Sequence, residues 1–248
     1  MDGAIERYLL NKIKVDGSIH MTLIDPENVT PEAAAKVAET AKNCGTAAIM
    51  IGGSTVASQS HLDKVVKAIK AAVDLPTILF PGNVNGISSS ADGIWFMSML
   101  NSSDPYFLMG AQIKGAPYIK KFGIEPLSMG YVIVGEGGTV GRVGKAQKIP
   151  YNDSQLAADH ALAGKYLGMR FIYLEGGSGV AQPVPAEMIR KVKSEISGVT
   201  LIVGGGIRTK EQAKAAAEAG ADIIVTGNLT ESGDCNERIG QIITAIKH

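Results

Sequence analysis

The sequence is poor in the residues that staple, charge or anchor a chain. Its two cysteines, Cys44 and Cys235, stand far apart and form no CxxC pair, which excludes a disulfide framework and a cysteine zinc site and fits a reducing cytosol. Lysine and arginine number 24 and aspartate and glutamate 24. With no basic excess, the phosphate attraction of a general nucleic-acid binder is missing, and no nucleic-acid partner is expected. The longest apolar runs, such as Ile94-Trp95-Phe96-Met97, fall far short of the roughly 20 residues that span a bilayer, so at most peripheral membrane contact is expected. Met1 to Glu6 lacks the basic-then-apolar order of a signal peptide, and a cytoplasmic location is the expectation. The histidines His20, His61, His160 and His248 form no HExxH motif and no tight cluster, which argues against a zinc hydrolase.

Glycine is abundant: 30 of 248 residues, many directly after apolar runs, where a bare backbone lets a ligand approach closely. Hydrophobic residues at 45% and charged residues at 19% make a globular balance and exclude disorder. Three segments repeat one grammar of helix, glycine, short apolar run and glycine again. They run from Gly45 to Gly53, Gly168 to Gly176 and Gly220 to Gly227. The first glycine stops a helix and the apolar run suits a parallel strand buried on both faces.

Between such runs, Leu62, Val65, Val66 and Ile69, and Ile239, Ile242, Ile243 and Ile246, fall at helical spacing. Thr30-Pro31 and Thr209 to Gln212 supply helix starts. Strands are expected near 19–24, 47–51, 77–80, 106–109, 130–134, 171–174, 200–203 and 222–225. Eight alternating units predict an α/β chain forming a single (β/α)8 TIM-like barrel over 1–248, with 1–18 as an N-terminal helix covering it. Asn83 to Asn101 is Gly/Ser/Asn-rich and then strongly apolar, so the third helix is expected to be irregular or missing. A doubly wound sheet would carry a glycine fingerprint after strand one, where Leu23-Ile24-Asp25-Pro26 stands instead.

In such a barrel the loops after strands seven and eight commonly hold a phosphate on backbone N–H groups. Here they read Val203-Gly204-Gly205-Gly206-Ile207 and Val225-Thr226-Gly227-Asn228, with Arg208 either assisting or solvated. Gly135 to Lys145 is no nucleotide P-loop, because Thr139 and Ala146 stand where that motif needs Gly and Ser or Thr. It reads as a mobile loop over the active face, whose Arg142 and Lys145 either reach a diphosphate or are solvated. Tyr173-Leu174-Glu175-Gly176-Gly177-Ser178-Gly179 ends strand six with a carboxylate beside the phosphate loops, placed as a general base or else satisfied by a neighbour; Tyr173 is either part of that site or a core aromatic. Asp25 and Gly52-Gly53-Ser54-Thr55, at adjacent strand ends, offer hard oxygen ligands for Mg²⁺; alternatively Asp25-Pro26 caps a turn. Trp95 to Leu100 with Tyr106, Phe107, Tyr118 and Phe122 either lines an apolar channel or belongs to the core or an oligomer interface. Two anion sites flanking a base suggest a substitution with a diphosphate leaving group.

These pieces together, Thr22 to Pro26, Ile51 to Ser54, Trp95 to Ser98, Tyr173 to Gly179, Val203 to Ile207 and Gly227-Asn228, resemble the geranylgeranylglyceryl phosphate synthase family over essentially the whole chain. The resemblance implies a modified TIM barrel lacking its third regular helix, and Mg²⁺-dependent transfer of a geranylgeranyl group from its diphosphate to the 3-hydroxyl of sn-glycerol 1-phosphate. It implies metal ligands at Asp25 and Ser54 and a glycerol phosphate site at Tyr173, Leu174, Glu175, Gly176, Gly177, Ser178, Gly179, Gly204, Gly205, Gly227 and Asn228. Glu175 and Asp25 take the catalytic roles, and a homo-oligomer is implied. Bacterial relatives take a longer heptaprenyl donor; Trp95 is a candidate for the side chain that closes the channel. A barrel isomerase or lyase acting on a sugar phosphate and a noncatalytic prenyl-lipid binder remain the rival readings.

Overall fold

A computed structural model describes residues 3–53, 58–227 and 235–247, the side chains of 235 and 236 excepted. Its strands are β1 (Ile19–Ile24), β2 (Ala48–Ile51), β3 (Thr77–Leu79), β4 (Gly93–Met99), β5 (Glu125–Ile133), β6 (Phe171–Glu175), β7 (Thr200–Gly204) and β8 (Ile223–Thr226). Each pairs in parallel with its sequence neighbour and β8 closes on β1, giving the eight-stranded barrel. Alternate residues point inward, and Met21, Met50, Trp95, Leu127, Met129, Phe171, Ile202 and Ile223 fill the centre.

The helices are α1 (Ala4–Asp16), α2 (Pro31–Cys44), α3 (Gln59–Ala72), α4 (Ala111–Phe122), α5 (Gly138–Val143), α6 (Ser154–Tyr166), α7 (Ala186–Glu195), α8 (Lys210–Glu218) and α9 (Cys235–Ile246). Thr30 caps α2 with Pro31 at its first position, and Thr209 and Gln212 form the reciprocal capping box of α8, as their spacing predicts. Helix α1 places Ile5 and Leu9 in the barrel-interior cluster. The Glu125 carboxylate accepts the N–H groups of Ile5 and Glu6, each at 2.9 Å, and so satisfies the positive start of the helix. No helix among the described residues is long and apolar enough to cross a membrane.

Two strand expectations need correction. The fourth strand is not 106–109 but Gly93–Met99; residues Tyr106–Gly110 form a wide helical turn that runs straight into α4. Asp104 accepts the Tyr106 N–H at 2.9 Å and Pro105 has helical φ, so the short apolar run Tyr106-Phe107-Leu108-Met109 enters a helix. β4 is buried on both faces, Ile94 and Phe96 outward and Trp95 and Met99 inward, so its continuous apolarity gives no alternation to read. The fifth strand starts at Glu125, five residues before its expected start, because Pro126, Ser128 and Gly130 interrupt its apolar residues Leu127 and Met129. The third β/α unit does lack its helix: only the turn Val84–Gly86 lies between β3 and β4.

Candidate active site

The C-terminal strand ends surround a cavity of about 720 Å³. Glu175, the last residue of β6, faces it and is only 6% exposed. Its Oε2 accepts the Tyr131 hydroxyl at 3.0 Å, its Oε1 accepts the Gly177 N–H at 2.6 Å, and the Tyr173 hydroxyl also bonds to it. Burial pushes the Glu175 carboxyl above the usual carboxylate range, and these three donors pull it back only in part. The same burial, with the neighbouring carboxylate, holds the phenols of Tyr131 and Tyr173 well above their ordinary value, so both are donors at neutral pH.

The loops after β5, β6 and β7 are stitched in order. Gly137 N–H donates to Gly176 O and Gly176 N–H to Gly204 O, both at 3.0 Å. Glycine at 204 and 205 is a steric requirement of β6 as much as of a phosphate. A Cβ on Gly204 would run into the Tyr173 hydroxyl, and one on Gly205, whose φ is +83°, would lie 2.6 Å from Glu175 Oε1. Tyr173, Glu175, Ser178, Gly179, Gly205 and Gly227 line the cavity. Gly176, Gly177 and Gly204 sit behind them, and the Leu174 side chain turns away into the outer core beside Ile172 and Val203. Arg208 reaches the cavity with its guanidinium donating to Gly179 O at 2.9 Å.

Across the cavity, β1 and β2 end side by side, with Ile24 opposite Ile51. The Asp25 carboxylate lies against Gly53, where a Cβ would come within 2.6 Å of Oδ2. It also caps the turn Pro26–Asn28, accepting Glu27 N–H at 3.0 Å and the Asn28 amide at 3.2 Å, which is the turn-capping reading of Asp25. Ser54 and Asn228 lie outside the described residues. Among the described residues no group of three or more His, Cys, Asp or Glu gathers to hold a metal by itself. Lys145 is paired with Asp104 at 2.8 Å, Arg142 donates to Thr139, and neither lines the cavity.

An apolar groove of about 90 Å³ opens where the third helix is missing. Ile87, Ile94, Phe96, Met97, Phe107 and Ile119 are among its walls, and Trp95 stands on its barrel side, edge-on to Phe171 at 5.1 Å. Leu100, Tyr106, Tyr118 and Phe122 are not among its lining residues. Pro81, Gly82, Met97, Tyr131 and Val140 line both groove and cavity, so the two meet beside Glu175. Phe80, Tyr131 and Tyr173 pack with ring centroids 5.2–5.7 Å apart at that junction.

Sequence reasoning missed Phe80, Tyr131 and Arg238, which line the cavity. Inward alternation from Met129 through Tyr131 to Ile133 is the signal for Tyr131. Arg238 directly precedes the apolar stripe that starts at Ile239, and nothing in its local sequence separates it from a solvated charge.

The PcrB family model matches residues 11–246. The chain is 50% identical to the geranylgeranylglyceryl phosphate synthase of Thermofilum pendens, over 100% of this chain and 96% of that one. It is 54% identical to the synthase of the same name from Thermococcus gammatolerans, over 95% and 93%. In structure it is similar to (S)-3-O-geranylgeranylglyceryl phosphate synthase from Thermoplasma acidophilum in complex with substrate sn-glycerol-1-phosphate, with a TM-score of 0.94, 44% identity and coverage of 100% and 99%. Thiamine phosphate pyrophosphorylase from Pyrococcus furiosus, at 14% identity, a TM-score of 0.60 and coverage of 92% and 95%, shares the fold alone.

Proposed function

The chain belongs to the PcrB family, and from that premise we propose that it is a prenyltransferase joining geranylgeranyl diphosphate to the 3-hydroxyl of sn-glycerol 1-phosphate. The products are geranylgeranylglyceryl phosphate and diphosphate, and the reaction forms the first ether bond of an isoprenoid membrane lipid. The observation that carries this reading is the opening of an apolar groove into a wider cavity that carries Asp25, Arg208 and the buried carboxylate of Glu175. A small sugar phosphate would use the cavity and leave the groove without a purpose.

The acceptor phosphate is held by the loops after β7 and β8, where Gly205, Gly206 and Gly227 face the cavity beside Arg208. Its hydroxyl then faces Glu175. The Tyr131 and Tyr173 hydroxyls and the Gly177 N–H fix that carboxylate in orientation. The prenyl chain lies in the groove and presents its C1 carbon at Tyr131. The acceptor oxygen bonds to C1 as the bond from C1 to the diphosphate oxygen breaks, and Glu175 takes the hydroxyl proton.

Mg²⁺ is the cofactor we assign. The donor chemistry fits: Asp25 sets a hard carboxylate on the cavity wall, and Mg²⁺ takes few protein ligands, completing its shell with water and phosphate oxygens. Asp25 would hold it, with Ser54 as the second protein ligand. When bound it supplies neutralisation of the diphosphate charge. Asp25→Ala is expected to raise the Mg²⁺ concentration for half-maximal rate about tenfold or more; an unchanged Mg²⁺ titration removes the assignment.

We also propose a cytoplasmic location and a homo-oligomer, the latter supported by the exposed Tyr166 and Leu167 at the end of α6. The decisive experiment measures diphosphate release from geranylgeranyl diphosphate with sn-glycerol 1-phosphate, its 3-phosphate enantiomer, or neither. Release that needs the 1-phosphate is the expected result. Release without an acceptor, or none at all, overturns the reading.

A further inference from the structure

Helix α4 and the wide turn Tyr106–Gly110 that leads into it have two faces. Ala111, Gln112, Gly115 and Ile119 turn inward and line the groove. Met109, at 59% exposure, Ile113, at 66%, and the exposed Ala116 and Pro117 form an outward stripe at spacings of three, four and eight residues. Lys120 ends the stripe, and Lys114 and Lys121 run along one edge with Tyr118, itself 54% exposed. Residues 105–124 carry these three lysines and no carboxylate, in a chain whose net charge is zero. A helix with an apolar stripe edged by lysines is the form that lies in the headgroup layer of a bilayer.

We propose that this outer face of α4 docks on the surface of an anionic lipid bilayer, so that the wall of the prenyl groove is also the part of the protein that touches the membrane. The proposal rests on the prenyltransferase reading, because a lipid substrate is what gives the two faces of one helix a common purpose. Charge selects the occupant. A two-fold contact between copies would set the same patch on both partners, lysines facing lysines with no carboxylate in the segment to answer them. An anionic leaflet answers all three ammonium groups and takes the stripe into its acyl boundary.

The test is flotation of the full chain with phosphatidylcholine vesicles containing phosphatidylglycerol, beside vesicles of phosphatidylcholine alone. Binding to the anionic vesicles alone is expected, weakening as salt is raised. Met109→Asp with Ile113→Asp, and separately Lys120→Glu with Lys121→Glu, are expected to weaken it about tenfold or more; Lys114, whose ammonium lies over the Tyr106 ring at 5.3 Å, is left in place. Circular dichroism melts and turnover of a short, water-soluble prenyl diphosphate are expected to stay unchanged in both sets, since none of these side chains lines the groove or the cavity. Equal binding to both vesicle types, no binding, or binding indifferent to these substitutions overturns the proposal. So does a dimer that Ile113→Asp dissociates while flotation persists. Flotation with no ether formation would leave the docking intact and remove the synthase reading, which keeps the two failures apart.

Discussion

Glu175 and Glu6 are equally buried, at 6% exposure, and their partners make them opposite in use. Glu6 is ion-paired with Arg170, which ties it into the structure. Glu175 is held by two phenols and one backbone N–H, which orient a carboxylate and leave it basic. Glu175→Gln is expected to keep both substrates bound while kcat falls by about 10²-fold or more, read as a KM against kcat split. Because burial raises its pKa, the wild-type rate is expected to fall on the acid side from a point above the ordinary carboxylate value. Loss of that acid limb in Glu175→Gln checks the assignment.

A second buried titratable group acts on stability instead. His20 is fully buried, its Nδ1 3.0 Å from Thr46 Oγ1 and its Nε2 2.8 Å from Thr226 Oγ1, and desolvation lowers its pKa from 6.5 to about 3. Between those values the unfolded chain binds the proton and the folded chain does not. Its stabilising share is therefore complete above pH 6.5 and is lost as pH falls towards 3, with a slope of about 1.4 kcal/mol per pH unit. Urea unfolding at pH 7 and pH 5 is expected to show a smaller difference for His20→Gln than for the parent.

At the scale of elements, the glycine loops are built around the side chains of β6. Gly205→Ala adds a Cβ where φ is +83° and where Glu175 Oε1 already lies, so it is expected to cost about 1–2 kcal/mol from backbone strain alone and to cut kcat as well. A thermal melt and a kcat measurement together check this, and a variant with normal turnover would separate the loop from the base. These loops were legible because glycine at a strand end is a strong local signal. Glu175 was legible for the same reason, standing between an apolar run and a glycine loop.

β4 was not legible as a strand. Gly93–Met99 packs on both faces, so it reads as any apolar run, while Tyr106–Gly110 has strand-like composition and is helical because Asp104 and Pro105 start it. The partners of Glu175 were hidden in another way. Tyr131 reaches it from a different strand, and only barrel closure sets residues 44 positions apart in hydrogen-bond contact. The nearness of Asp25 to Gly53 follows from the order of the strands alone, since β1 and β2 are neighbours in sequence and in the barrel.

At the scale of the whole molecule, the barrel separates two tasks by depth. Its lower half is sealed by side chains and by α1, and its upper rim carries the cavity with its charged groups Asp25, Glu175 and Arg208. Trp95 stands at the border, 1% exposed, with Phe171 on one side and the groove on the other. Trp95→Ala is expected to destabilise the protein by about 3–5 kcal/mol and to shift donor preference towards heptaprenyl diphosphate, read by competition between the two donors. A destabilised variant with unchanged preference would place the chain-length limit elsewhere.

The missing third helix has a consequence for how long the protein lasts. A helix in that position would bury its apolar side chains permanently; a ligand buries them only while it is bound. Stability therefore depends on donor concentration by mass action, rising as RT ln(1 + [L]/Kd). Proteolysis of transiently opened chains follows the same equilibrium. On the prenyltransferase reading proposed above, added geranylgeranyl diphosphate is expected to slow digestion of the chain by a protease, and digestion indifferent to it would mean that the groove is not covered by the donor.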